Sequence, residues 1–150
     1  MKKILIGVDG SVREREVVDV GVRLAGPLDA QIFLVRAVGL PTQRLPFGFL
    51  SQSPDEVERC LLELAAADVE SVMLRVPEKL RGGTRVLCGS PLAVIEGAAK
   101  ELDVDLIIIG SHGHGAIDRI LGSTAAKIVN HSECSVLVVR ASTRLLPCSA

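Results

Sequence analysis

Five short apolar runs, separated by segments of helical period, constrain the fold of this chain more than any other feature. The runs have strand length and are rich in β-branched residues, at 3–8, 31–38, 84–88, 105–110 and 135–140. Between them, apolar residues recur with the spacing of one helix face. Alternation of strand and helix predicts a parallel sheet with helices on both faces and right-handed crossovers. We therefore expect an α/β fold, a three-layer α/β/α sandwich.

Helical stripes and start signals support this alternation. The stripes comprise Val57, Cys60, Leu61, Leu64, Ala65, Val72, Met73 and Val76, then Leu92, Ile95, Ala98, Ala99 and Leu102, and then Ile117, Ile120, Leu121, Ala125, Ile128 and Val129. Ser53 with Glu56, and Ser11 with Glu14, have the spacing of a capping box. Proline follows Ser53 and Ser90, as it does at a first helical turn.

Length and charge limit the partners that the chain can have. With 150 residues, we expect one domain spanning 1–150. The formal net charge of -1 gives no attraction for a polyanion, and three Phe with no Trp or Tyr provide no base-stacking platform for single strands. We therefore expect no nucleic-acid partner.

Neither a targeting segment nor a disulfide framework is expected. Asp9 ends the first apolar run too early for a signal peptide, and no run is long enough to cross a bilayer. We expect a cytoplasmic protein with no membrane partner. The four cysteines, Cys60, Cys88, Cys134 and Cys148, form no CxxC pair and are interpreted as reduced thiols, the first three packed as small apolar side chains.

Two loops have the chemistry of a ligand site. In a parallel α/β sheet, ligands bind beyond the carboxyl ends of the strands, where the strand order reverses. The loop GVDGS follows the first run and offers Asp9 as an acceptor, and GSHGHGAIDRILGS follows the fourth. A helix starting near Gly122 and Ser123 would present free N–H groups and its positive dipole end to a phosphate. The glycines could instead form only a tight turn and a helix cap, but their placement after a strand favours binding.

These residues resemble the universal stress protein family over nearly the whole chain. The resemblance rests on ILIGVDGS, on VLCGSPLAVIEGAAKELDVDLIIIGSHGHG and on LGSTAAKIVNHSECSVLVVR. The nucleotide-binding branch carries G-x2-G-x9-G-[ST], which Gly110, Gly113, Gly122 and Ser123 match with one residue fewer between the second and third glycines. The resemblance implies a Rossmann-like sheet of order 3-2-1-4-5 and ATP as the ligand, with Mg²⁺ on the phosphates as an open possibility.

The resemblance also implies which residues contact the nucleotide. Val8 and Asp9 would lie at the adenine end, Ala37 would offer backbone groups to the base, and Ile109 with Gly110 would contact base and ribose. The phosphates would be held by Gly113, Gly122, Ser123 and Thr124. This chain has Gly7 where the family often has proline, and Arg36 where it often has histidine.

Other features of the loops have two interpretations each. His112 and His114 could suggest a metal site, but no carboxylate or cysteine flanks them at metal-ligand spacing. His112 is therefore expected beside the ribose or phosphates as a hydrogen-bond donor, and His114 in solvent. Asp118 could help to hold a divalent ion, but an acid complementing the helix dipole is the simpler interpretation. The irregular segment 39–53 is either folded onto its own sheet edge or a lid or partner surface.

Three functions remain open from sequence. The favoured one is an ATP-binding regulatory protein of the stress response, whose nucleotide occupancy changes dimer or partner contacts; no catalytic residue and no resident metal are expected. The alternatives are an adenine-nucleotide hydrolase or transferase and a nucleotide-free interaction module. A homodimer is expected through the run SVLVVR, which begins at Ser135, ends at Arg140 and would lie at a sheet edge in the implied order.

Overall fold

A computed structural model describes residues 2–39, 53–111 and 121–140 of the chain. Its strands are β1 (Lys3–Gly7), β2 (Gln31–Val38), β3 (Arg81–Cys88), β4 (Leu106–Gly110) and β5 (Ser135–Val139). Its helices are α1 (Glu14–Leu28), α2 (Pro54–Met73), α3 (Pro91–Leu102) and α4 (Ser123–His131), with a 3₁₀ turn at Glu78–Leu80 before β3. The predicted alternation of strand and helix is confirmed.

The five strands form one parallel sheet in the order β3-β2-β1-β4-β5. This is the α/β fold and the strand order 3-2-1-4-5 that the sequence led us to expect. β1 lies at the centre, and the chain passes to β2 on one side of it and later to β4 on the other. The order therefore reverses at β1 and β4, where a crevice opens at the carboxyl ends of the strands.

Two apolar cores lie on opposite faces of the sheet. Ile4 and Ile6 of β1 pack on the face that also buries Val17 of α1 and Val69 of α2. Leu5, between them, packs on the opposite face with Ile95 of α3. Since side chains alternate along a strand and both faces are covered, the central strands are apolar throughout.

Local signals explain where most helices begin. The Ser53 side chain accepts a hydrogen bond from the Glu56 N–H, and the Glu56 carboxylate accepts one from the Ser53 N–H, so the capping box predicted for α2 is confirmed. Ser90 caps α3 by accepting from the Ala93 N–H at 3.3 Å. The capping box predicted at Ser11 is wrong. The N-cap of α1 is Arg13, and no side chain caps it.

A few apolar residues do not lie where the sequence placed them. Leu64 and Val129, expected on buried stripes, are 61% and 44% exposed. β3 begins at Arg81 rather than at residue 84, because Arg81 and Gly83 pair with Ile32 and Phe33 of β2, with Gly82 at the irregularity between them. Pairing with β2 therefore extends the strand across two glycines that have little strand propensity of their own. The Phe33 ring lies over Gly82 and occupies the space a side chain would need, since a Cβ there would be 2.6 Å from ring Cζ.

One glycine sets how closely α1 approaches the sheet. Gly21 is buried on α1, and a Cβ added to it would lie 2.3 Å from Cδ1 of Ile6. Ile6 is fully buried, so its side chain has little space into which to move. The helix therefore packs against β1 at a distance that only glycine permits.

Candidate functional site

A cleft of about 1000 Å³ lies at the carboxyl ends of β1, β2 and β4. This volume is at the upper end of the range usual for small-molecule sites, roughly 300–1,000 Å³. The cleft sits at the point where the strand order reverses, and the first turn of α4 forms part of its wall. Eight of the ten residues predicted to contact nucleotide line it, namely Val8, Asp9, Ala37, Ile109, Gly110, Gly122, Ser123 and Thr124.

The other two predicted residues, His112 and Gly113, lie outside the described residues. The same is true of the other loop residues discussed from sequence, His114 and Asp118, and of positions 40–52 within the irregular segment.

The loop after β1 is fixed by backbone-to-carboxylate hydrogen bonds. The Ser11 N–H donates to Oδ1 of Asp9 at 2.9 Å, and the Gly10 N–H donates to Oε2 of Glu14 at 2.8 Å. Gly10 has φ +74°, a left-handed conformation that favours glycine. Asp9 therefore lies in a fixed turn at the cleft wall, and its Oδ1 accepts the hydrogen bond from the Ser11 N–H of the same turn.

The start of α4 presents backbone donors to the cleft. Gly122 is the N-cap residue, with φ -59° and ψ 152°, and as a glycine it has no side chain with which to cap the first turn. The first N–H groups of a helix have no partner within the helix, and the helix dipole places positive charge there. Ser123 and Thr124, whose side chains carry hydroxyl groups, line the same wall. This set of donors suits an anion such as a phosphate.

Two cationic side chains of the cleft were not assigned to the site from sequence. Arg13 at the start of α1 and Arg36 near the end of β2 both line it, together with the acids Glu14 and Asp68. Arg36 Nη1 donates to Asp68 Oδ2 of α2 in a hydrogen-bonded ion pair. In the sequence, Arg36 stands out only as a departure from the family pattern. The packing of α2 that brings Asp68 next to Arg36 has no local sequence signal.

None of the three cysteines that the structure describes lines the cleft. Cys60, Cys88 and Cys134 are half-buried free thiols, which fits the predicted packing as small side chains, and Cys148 lies outside the described residues. Burial raises the pKa of the Cys134 thiol, and burial together with the Glu58 carboxylate raises the pKa of Cys88. Both thiols therefore stay protonated near neutral pH, and a thiol is a weaker nucleophile than a thiolate.

Residues 2–39, 53–111 and 121–140 contain no group of three or more His, Cys, Asp or Glu placed to hold a metal ion. None of the helices in that part of the chain has the length and apolar character to cross a membrane.

The chain is a parallel α/β protein with a crevice where the strand order reverses, as its sheet order, cleft position and glycine placement indicate. Residues 1–140 match the sequence model of the universal stress protein family, and the chain belongs to that family. A putative universal stress protein of Staphylococcus haemolyticus is 35% identical over 141 residues, covering 93% of this chain and 84% of the relative.

Solved structures of the family share the fold. The universal stress protein UspA of Lactobacillus plantarum is 26% identical, with a TM-score of 0.72 over 93% of this chain and 97% of that one. A universal stress protein crystallised in complex with cAMP is 22% identical, with a TM-score of 0.59 over 94% of this chain and 98% of that one, and this likeness concerns the fold alone.

Proposed function

We propose that this universal stress protein binds ATP in the cleft at the carboxyl ends of β1, β2 and β4. The observation that carries the proposal is the convergence of the Asp9 loop and the α4 N-terminus on a single crevice at the strand-order switch. Fixed backbone donors at one end suit phosphates, and a fixed carboxylate at the other suits a hydrogen-bonding base.

In this proposal the two ends of the cleft bind different parts of the nucleotide. Val8, Asp9, Ala37, Ile109 and Gly110 contact adenine and ribose. The N–H groups and hydroxyls of Ser123 and Thr124 hold phosphates, and Gly122, whose own N–H is bonded to the Ser111 carbonyl, lets the phosphates approach the backbone closely. His112 and Gly113, in the loop before them, complete the phosphate contacts. Mg²⁺ would be bound by the phosphates of the nucleotide rather than by a site on the protein.

A cyclic adenine nucleotide is the ligand in one solved member of the family, the complex with cAMP. That precedent supports an adenine nucleotide as the ligand class. ATP is the preferred member for this chain because its cleft offers two hydroxyls as well as helix N–H groups to a phosphate chain.

The proposed role is regulatory and cytoplasmic: bound ATP alters contacts with a second copy or another partner. The second copy would pair through β5, which is a sheet edge and hydrogen-bonds to β4 on one side. The backbone N–H of Ser111 donates to the Val139 carbonyl at 2.8 Å, so the backbone N–H and C=O of Val139 face β4. Successive residues of a strand direct their N–H and C=O to opposite sides, so those of Val138 face the free edge.

Equilibrium dialysis against ATP with Mg²⁺, followed by chromatography of the nucleotides on both sides of the membrane, tests the proposal. ATP should accumulate on the protein side and be recovered intact. Conversion of the ATP to ADP at many turnovers would favour the alternative, an adenine-nucleotide hydrolase. Equal ATP on both sides at concentrations well above the protein would refute binding.

A further inference from the structure

Arg36 occupies a fixed position at the mouth of the cleft. Its side chain is 23% exposed and is paired through Nη1 with the Asp68 carboxylate of α2, whose side chain is 50% exposed. Both residues line the cleft, and Arg36 is adjacent in sequence to Ala37, which lines it as well. The guanidinium therefore lies at the end of the cleft formed by β1 and β2, and its orientation is set by α2.

One flat side of this guanidinium lies against Gly10. A Cβ added to Gly10 would be 2.9 Å from Nη2 and 3.2 Å from both Cζ and Nη1 of Arg36. These distances put the added Cβ to one side of the guanidinium plane, near its Nη edge, rather than at the end of one N–H. With Gly10 on one face and Asp68 at one edge, the opposite face is what the side chain offers to a ligand.

None of the described residues that line the cleft carries an aromatic ring on which a flat base could stack. The chain has no Trp or Tyr. Phe33 is buried in the core beneath α3, and Phe47 and Phe49 lie outside the described residues. Among the described residues that line the cleft, Arg13 and Arg36 carry the only guanidinium planes, and Arg36 is the one that packs on the loop of Asp9.

We propose that the Arg36 guanidinium is the stacking platform for the base of the bound nucleotide. This inference rests on the proposed function and adds a base-positioning residue to it. A guanidinium is planar, delocalised and weakly hydrated, so it stacks on aromatic faces, whereas the compact ammonium of lysine cannot. Asp68 and Gly10 hold the plane before the ligand arrives, so little side-chain entropy is lost on binding.

Stacking also fits adenine better than an edge-on hydrogen bond would. An arginine that donates to a purine edge selects guanine, which presents two acceptors at O6 and N7, whereas adenine presents an amino donor at the corresponding position. A stacked guanidinium accepts either purine. In this arrangement Arg36 contributes affinity for a base, and Asp9 determines the selectivity for adenine over guanine.

Arg36→Lys, which keeps the charge and loses the plane, separates stacking from simple charge. Calorimetry should be run with two probes, ATP and inorganic tripolyphosphate, which has the phosphates without the base. The variant should bind ATP roughly 3- to 10-fold more weakly, because the lysine ammonium keeps a cation near the base but loses the planar stacking contact. Its affinity for tripolyphosphate should match that of the parent.

A second variant keeps the test independent of folding problems at position 36. Asp68→Asn retains the guanidinium and loses the charged partner that orients it, so ATP affinity should fall in the same direction, with tripolyphosphate again unaffected. Thermal melts of both variants establish that they are folded.

The failures of the two proposals are distinguishable. If the parent binds ATP and Arg36→Lys binds it equally well, or loses tripolyphosphate to the same extent, the stacking role is refuted and the proposed function survives. If the parent binds no adenine nucleotide, the proposed function fails and the stacking role fails with it.

Discussion

The backbone N–H of Gly122 donates a hydrogen bond to the carbonyl oxygen of Ser111, with 2.9 Å between nitrogen and oxygen. The two residues bracket positions 112–121, so the end of β4 and the start of α4 are joined directly. Ser111 is itself buried and tied to β5 through the Val139 carbonyl. The phosphate end of the proposed site is therefore built on three elements of the fold that hold one another in place.

Gly122→Val is expected to weaken ATP binding by tenfold or more, on the order of 1.4 kcal/mol. The backbone at Gly122 has φ -59° and ψ 152°, which valine adopts without strain, so the effect would come from a side chain standing where phosphate lies. Valine is a poorer N-cap than glycine, which adds a modest loss of helix stability. Calorimetric titration with ATP measures the effect.

Gly97→Ala serves as the control for that experiment. Gly97 lies on α3, and a Cβ added to it meets no atom within 4 Å. Its variant should bind ATP as the parent does. Parental affinity in Gly122→Val would show that the phosphates lie elsewhere.

Asp9→Asn is expected to blur the preference for ATP over GTP while keeping the loop folded. Asparagine retains an acceptor for the Ser11 N–H, whereas Asp9→Ala removes both that acceptor and the charge. A site that hydrogen-bonds its ligand loses discrimination when the partner group is changed. Competition of ATP with GTP is the measurement. An unchanged preference in both variants would remove Asp9 from base recognition.

Val138→Pro is expected to convert a dimer into a folded monomer. The Val138 N–H faces the free edge of β5, so proline removes a donor to the second copy without breaking the pairing with β4. Lysine at this position is a poorer test, because Val138 packs against the core beneath α3 and α4.

Sedimentation at micromolar protein distinguishes the outcomes for the edge strand. The parent should sediment as a dimer and Val138→Pro as a monomer with the parental circular dichroism spectrum. A monomeric parent, or a variant that stays fully dimeric, would place the contact elsewhere.

Gly21→Ala is expected to destabilise the protein by about 1–3 kcal/mol, the usual cost of inserting a methyl group into a filled core. The added Cβ would overlap Cδ1 of the fully buried Ile6. Gly97→Ala, the same change at an open helical position, should stabilise by about 0.5–1 kcal/mol. Urea denaturation of both variants gives the comparison, and equal effects would contradict the close approach of α1.

The fold was predictable from sequence because its signals are local. Runs such as ILIG and LIIIG have the length and the β-branched content of buried strands, and Ser-Pro pairs mark the starts of α2 and α3. The start of α1 was not predictable in this way. The Glu14 carboxylate bonds to the Gly10 N–H and leaves the helix without the serine cap that the spacing suggests.

The candidate site was predictable only in part. Its strand-end and helix-start residues follow from the motif, but the contribution of Asp68 depends on how α2 packs beside β2, which no local pattern encodes. The contact of Arg36 with Gly10 depends on the left-handed turn in the loop after β1, which lies far from β2 in sequence. A single domain over 1–150 stays a prediction.

Calorimetric titration of the nucleotide-free parent with ATP measures the proposed binding itself. We expect saturable binding in the low-micromolar range, with one site per chain and weaker binding of GTP. Absence of measurable heat and of competition up to millimolar ATP would contradict it, and would favour an interaction module that does not use a nucleotide.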